Sequence, residues 1–241
     1  VVHRIKEIHE KVVAKKLETI PLSSFNTTNW QAFSLKTDVK IKWIINDSLD
    51  ETVDIEEYVW SDYPESHETQ RKNYMSYLKR HINLLPQISI LDVATNKTFL
   101  QLYNDPRLPF NLSGGTDVIL FETAAETLPQ TGIRSVIELK KQVQPVDVYQ
   151  VVMQMIIADI ITPNHISAIG ILTDLKDNWN VFWLNEKEVI GTKFTQRKSA
   201  IKFIESMILE EEWATKKRYL PFSDNTTIKR MKFDNMIEKK R

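Results

Sequence analysis

Three side chains in this sequence combine type and spacing in a way that could do chemistry: Asp117, Glu138 and Lys140. Asp117 lies near the start of residues 116–121 (TDVILF), a β-branched and apolar run that reads as a buried strand. Glu138 sits at the end of a second such run, residues 133–139 (IRSVIEL), and Lys140 follows it. Residues two apart on a strand face the same way, so Glu138 and Lys140 point into one space while Leu139 points into the core. If the two strands are neighbours, Asp117 meets them there. Two carboxylates brought that close repel, and a hard divalent cation removes the repulsion. Mg2+ is bound by one or two carboxylates together with water and substrate phosphate, and Mn2+ suits the same oxygen ligands. A bound ion of this kind neutralises phosphate charge and acidifies a water, and a lysine beside it can orient that water or stabilise charge developing on phosphate. Together these groups are equipped for phosphodiester hydrolysis.

Spacing alone does not single them out. Acid-x-Lys recurs at Asp38-x-Lys40, Asp174-x-Lys176 and Glu238-x-Lys240. The second lies in a polar turn and the third in a charged tail. The first is on a plausible strand but has no acid-bearing apolar strand before it. Only Glu138-x-Lys140 ends an apolar strand preceded by a loop, an aspartate and another strand. The following helix carries Gln150 and Gln154, four apart and so on one face. Structural roles stand beside the chemical ones: Asp117 as a cap after the Gly114-Gly115 turn, Glu138 and Lys140 as a charge pair at the sheet's end, and the glutamines as polar residues at a half-buried surface.

Composition narrows the classes. The 241 residues are 42% hydrophobic, enough for a core in one domain of moderate size. No apolar run approaches the ~18 residues of a membrane span, so no membrane partner is expected, and nothing near Val1 reads as a secretory leader. With no cysteine, disulfide scaffolds, zinc-thiolate sites and cysteine nucleophiles are excluded. The histidines show no metal-ligand spacing. Ser113-Gly114-Gly115 precedes a strand rather than a helix, so it is no phosphate-cradling loop, and ATP use by this segment is not expected. Net charge is zero, but residues 193–241 hold 13 Lys/Arg against 7 Asp/Glu. That basic region could supply phosphate contacts through Arg197, Lys198 and Lys202, or it could be a solvated helix and tail.

Periodicity supplies the scaffold. Residues 1–20 have helical spacing, 23–30 are polar and loop-like, and 34–45 alternate as a strand. Residues 55–60 fit a short helix or a strand. A helix is expected over 66–85, with Tyr74, Leu78, His81 and Leu85 on one stripe, then strands at 88–94 and 98–103 and a loop over 105–115. After the two strands of the candidate site come a largely apolar helix at 146–160, strands at 166–172 and 179–184 forming a hairpin with Trp179 and Trp183 as core, and an amphipathic helix at 195–213. The expected architecture is an α/β (α+β) fold with a mixed central β-sheet flanked by helices. It divides into an N-terminal helical and strand extension at 1–60, a core domain at 61–215 and a basic tail at 216–241.

GGTDVILF, then IRSVIELKK, then the helix VYQVVMQM resembles the PD-(D/E)XK, or restriction-endonuclease-like, nuclease superfamily. With the hairpin ILTDLKDNWNVFWL joined to it, the segment 66–184 resembles the nuclease-type C-terminal domain of Crinkler (CRN) effectors of oomycetes and fungi. The resemblance implies a restriction-endonuclease-like core. By position it makes Asp117 and Glu138 the metal-binding acids, Lys140 the catalytic lysine and Gln150 the glutamine placed near the site. A helix glutamate often joins such a site; Glu68 is the match by position and Glu65 its rival. Gly115-Thr116 stands where the motif has a proline. The activity implied is Mg2+- or Mn2+-dependent hydrolysis of DNA by a secreted effector acting in the host nucleus, and the DNA partner expected is double-stranded. The family sometimes fuses such a nuclease to an upstream NTPase domain. Two other arrangements stay open: a catalytically inactive fold that binds nucleic acid or host proteins, and a homodimer in which one subunit's basic region completes the other's groove.

Overall fold

The computed structural model describes residues 17–45, 54–163, 166–209, 218–219, 227–228 and 230–237. The helix expected over 1–20 therefore lies mostly outside the described residues, and Thr19 and Ile20 belong to a strand. Helix α1 (Thr27–Thr37) begins where Asn26 accepts from the backbone N–H groups of Thr28 and Asn29 while the Asn29 side chain accepts from Asn26 N–H, a reciprocal cap that satisfies orphan donors. Asp38, at φ 63°, ends it in the left-handed region. The expected loop at 23–30 and strand at 34–45 are corrected accordingly. The local capping chemistry outweighs the alternation, and the strand starts only after Asp38.

The strands are β1 (Thr19–Pro21), β2 (Lys40–Ile44), β3 (Ile88–Asp92), β4 (Leu100–Leu102), β5 (Asn111–Gly114), β6 (Val118–Glu122), β7 (Ile133–Leu139), β8 (Ile169–Thr173), β9 (Trp179–Asn185) and β10 (Glu188–Phe194), with short β11 (Arg218–Tyr219) and β12 (Thr227–Ile228). The other helices are α2 (Glu68–His81), α3 (Asp147–Ile161), α4 (Arg197–Leu209) and α5 (Phe233–Ile237). Seven strands form one mixed sheet in the order β2-β10-β9-β8-β7-β6-β3. In it β3, β6 and β7 run antiparallel, α3 crosses over to bring β8 parallel to β7, and β8, β9 and β10 return as a meander with β2 parallel to β10. A small sheet β1-β5-β4 lies apart. The protein is thus an α+β fold with mixed sheets flanked by helices.

Side chains alternate across the large sheet. Ile119, Phe121, Val136, Leu172 and Phe182 join α1, α3, α5 and the small sheet in one cluster. Val118, Leu120, Ile137, Leu139, Trp179 and Trp183 join α2 and α4 in the other. Every residue of β7 is buried, as a strand covered on both faces must be. The segment expected as an N-terminal extension supplies strands to both sheets, through β1 against β5 and β2 against β10. The strands expected at 88–94 and 98–103 do not pair with each other: β3 pairs with β6, and β4 with β5. The expected loop at 105–115 contains β5, and β10 was not expected at all. The turn before β10 places Glu186, not a glycine, at φ 54°, so the usual hairpin signal is missing.

Asp159 fastens the C-terminal segment. Fully buried on α3, it accepts from Ala168 N–H at 3.0 Å and from Phe233 N–H at 2.7 Å, with Lys232 Nζ at 3.5 Å. Burial raises its carboxyl above the ordinary value, and Lys232 and the two backbone donors oppose that rise. Removing the carboxylate leaves two buried backbone donors unpaired and takes the counter-charge from Lys232, whose Nζ keeps the Asp159 and Thr162 carbonyls. Asp159→Ala is expected to cost about 3 kcal/mol in denaturant unfolding and to expose the amide of Phe233 to exchange, with Asp159→Asn losing less.

Candidate active site

The register of β6 and β7 places the acids. Val118 lies opposite Ile137, so one step further along the antiparallel pair Asp117 lies opposite Glu138, and directly opposed residues share a face. Asp117 is held on both sides: its carbonyl accepts from Val93 N–H at 2.9 Å, and its Oδ2 accepts from Leu139 N–H at 2.7 Å. Thr116 Oγ1 donates to the Ile137 carbonyl at 2.9 Å, tying the two strand ends together. Lys140 N–H continues the parallel pairing by donating to the Thr173 carbonyl at 3.0 Å. Lys140 thereby keeps the strand's alternation, and its Nζ donates to Glu138 Oε1 at 2.8 Å, while Leu139 is buried in the opposite cluster.

Helix α3 closes over the same space. Gln150 Nε2 donates to Glu138 Oε1 at 2.7 Å, and Gln154 Nε2 donates to Glu138 Oε2 at 2.7 Å and to the Gly115 carbonyl at 2.8 Å. Gly115 is required there, because a Cβ would lie 2.7 Å from the Asn96 carbonyl oxygen. Glu138 is 5% exposed, yet its carboxylate is partnered at both oxygens. A carboxylate offers about four lone-pair positions, and these three donors leave one on Oε2. Asp117 keeps Oδ1 without a hydrogen bond among the described residues. Both line a cleft of about 780 Å3 with Lys140, Gln150, Glu65 and Lys97.

The electrostatics follow from burial. Desolvation, then the charge of Glu138, raises the Asp117 carboxyl well above the ordinary value, and the Leu139 hydrogen bond and Lys140 oppose this only in part. Burial draws the Lys140 ammonium down, but Glu138, through charge and hydrogen bond, and Asp117 more than offset it, so its value is raised and it remains a cation. Among the described residues no cluster of three or more His, Asp or Glu is arranged to hold a metal. The donor set is two acids plus the open cleft, which fits an ion that completes its shell with water and phosphate oxygens.

Of the expected residues, Asp117, Glu138, Lys140 and Gln150 come together. Glu68 does not. It is on the first turn of α2, its side chain 66% exposed and paired with Lys72 at 2.6 Å, which lowers its carboxyl. The cleft takes its rival Glu65 instead, whose Oε1 accepts from Lys141 N–H at 2.5 Å. On a helical wheel Glu68 faces away from the stripe of Tyr74 and Leu78 that docks α2, which accounts for its exposure. Gln154, four residues on from Gln150 and on the same helix face, binds the same carboxylate, and that spacing was the available signal. Arg197 is corrected as a phosphate contact. Its guanidinium is taken up by the Ile55 carbonyl at 2.8 Å, Asp177 at 2.9 Å and Asp54 at 3.1 Å, which staple α4 to two loops. Lys198 N–H also binds Asp54, and Lys202 is exposed. All three start α4, which packs on the sheet face opposite Glu138, because the apolar stripe through Phe203 and Met207 docks it there.

No family model matches the chain, and no solved structure does. Curated relatives do. The chain is 23% identical over 206 aligned positions to Crinkler effector protein 63 of Phytophthora sojae, covering 77% of this chain and 44% of that one. It is 22% identical to Crinkler effector protein 4 of Phytophthora capsici, covering 98% and 58%, and 26% identical to Crinkler effector protein 2 of Phytophthora infestans, covering 76% and 42%. The chain spans about half the length of these curated relatives. It is a distant relative of Crinkler effectors.

Proposed function

We propose that the chain is a divalent-metal-dependent nuclease with a PD-(D/E)XK-type core that hydrolyses DNA phosphodiesters, and that it acts as part of a secreted effector inside host cells, in the nucleus. The observation that carries the reading is the meeting of Asp117, Glu138 and Lys140 at the adjoining ends of β6 and β7, in one cleft. The relatives' designation as effectors supports the cellular setting.

Asp117 and Glu138 would hold the ion, Mg2+ or Mn2+, through Asp117 Oδ1 and the remaining position on Glu138 Oε2. When bound, it supplies positive charge to the phosphate and acidifies a water. The chain's own groups do the rest. The two glutamine amides fix the Glu138 carboxylate against rotation. The Leu139 amide fixes Asp117. The Lys140 ammonium, kept charged by both acids, stands where negative charge accumulates on phosphate. Glu65, at the cleft wall, is placed to orient a water.

A second reading is a nuclease fold that binds nucleic acid without cutting it. It draws on the three donors already satisfying Glu138 and on the absence of a three-acid cluster among the described residues. Supercoiled plasmid separates the two. With Mg2+ or Mn2+ the protein is expected to nick or linearise it, and with EDTA to leave it intact. Asp117→Asn and Glu138→Gln are each expected to lower the rate by about 100-fold or more. Intact plasmid at high protein and low salt with either metal leaves only the binding reading.

Stability against pH gives an independent test. A carboxyl whose folded value is raised costs nothing while it is protonated in both states. Its destabilisation grows as pH climbs from the unfolded value to the folded one, then stays constant. Asp117→Asn keeps an acceptor for Leu139 N–H and removes that cost. In thermal melts it is expected to be several degrees more stable than the parent at neutral pH, with the difference vanishing below the ordinary carboxylate range. Added Mn2+ is expected to stabilise the parent and not the variant.

A further inference from the structure

A second concavity, about 710 Å3, lies beyond the catalytic cleft on the same sheet face. The ladder relates the two. Glu138 on β7 is paired with Leu172 on β8, Leu172 with Asn180 on β9, and Asn180 with Lys193 on β10. Glu138, Asn180 and Lys193 therefore stand in one row on one face, and three interstrand spacings separate the first from the last by about 14 Å. Helix α3 joins the pockets as well: Gln150 reaches into the cleft, while Tyr149 beside it lines the second pocket.

The chemistry of this pocket is that of a base and a phosphate. Trp30 and Tyr149 stack as one wall, with ring centroids 5.8 Å apart and planes at 23°. Trp43 forms another and is 47% exposed, although it sits edge-on against Phe182 at 5.4 Å. Gly191 beneath them makes this approach possible, since a Cβ there would lie 2.9 Å from Phe182 and 3.1 Å from Trp43. An indole braced on one side and open on the other is a stacking platform held at low entropy cost. Lys40 and Lys193 line the same pocket, and among the described residues no acid lines it and neither lysine has an ion-pair partner.

We propose that this pocket is a subsite for an unpaired nucleotide of the DNA strand whose phosphodiester lies at Asp117 and Glu138. The base stacks on Trp43 and its phosphate is met by Lys193, with Lys40 further along the strand. This rests on the nuclease reading for the position of the scissile bond, but the subsite's binding does not require cutting. The span between the pockets corresponds to about four nucleotides at the axial rise of a stacked strand, and fewer if the strand is extended. A pocket walled by rings takes a base that has left the stack, whereas a closed duplex offers it only sugar and phosphate. The preference inferred is for single-stranded, frayed or looped DNA over intact duplex.

The test is fluorescence anisotropy with labelled oligothymidylate in EDTA, where nothing is cut. The parent is expected to bind it more tightly than a blunt duplex of the same length. Trp43→Ala is expected to bind about tenfold more weakly. Lys193→Gln is expected to weaken binding and flatten its salt dependence. Trp43→Phe, which keeps a ring, is expected to retain most of the affinity. Trp43→Gln, which removes the ring but keeps some bulk, carries the test with Lys193→Gln if circular dichroism finds Trp43→Ala unfolded. Unchanged affinity in Lys193→Gln and in the folded ringless Trp43 variant, or equal binding of the blunt duplex, overturns the subsite. Tighter binding of oligouridylate overturns its assignment to DNA. A protein that binds through Trp43 but never cuts plasmid keeps the subsite and loses the nuclease. One that cuts plasmid but binds without Trp43 and Lys193 does the reverse.

Discussion

Asp117 and Glu138 face each other across an antiparallel pair, one step past the point where Val118 meets Ile137. Like charges directly opposed on a sheet destabilise it, and burial adds to the cost because the surroundings screen poorly. Much of the neighbouring structure answers that single constraint. Lys140 returns along its own strand to Glu138, Gln150 and Gln154 come down from α3, and the Leu139 amide leaves the regular ladder to meet Asp117. What the surroundings leave uncompensated appears as the raised Asp117 carboxyl. A carboxyl held away from its ordinary ionisation in a cleft marks a candidate for chemistry.

That constraint explains why particular elements sit where they do. Helix α3 is apolar over most of its circumference because it lies between the sheet, α1, α5 and the small sheet. Its two glutamines are exceptions, and both spend their donors on the acid of the facing strand. The small sheet and residues 64–66 wall the cleft from the other side, and Gly115 lets its chain pass close to Asn96. On the opposite face α2 and α4 cover the strands with aromatic and aliphatic side chains. The site therefore opens at one end of the sheet, and its floor is β7, buried along its whole length, which suits a constellation needing fixed distances.

The parts of this arrangement legible in the sequence were those governed by short-range periodicity. The strand over residues 133–139 has the bounds expected, and alternation alone put Glu138 and Lys140 on one side. The buried face of α4 through Ala200, Phe203, Ile204, Met207 and Ile208 was equally plain. The rest depends on information that spacing does not carry. Glu65 reaches the cleft through a loop, and no period marks a loop residue. Arg197 looked like a free cation because its three acceptors come from segments far away in sequence. Helix α1 was misread because capping by Asn26 and termination at Asp38 decided its limits. Strand β10 was missed because Glu186 adopts a positive φ without being glycine, leaving the tight turn unannounced. The second pocket is assembled from three strands, β2, β9 and β10, together with α1 and α3, which no local pattern contains.

Whether the opposed carboxylates form a divalent-ion site is read directly by anomalous diffraction from crystals soaked in Mn2+, without reference to any substrate. One strong peak is expected within coordination distance of both Asp117 and Glu138, absent from crystals of the Asp117→Asn protein. Ordered side chains at both positions with no peak between them at saturating Mn2+, or a peak that survives the substitution, would contradict such a site.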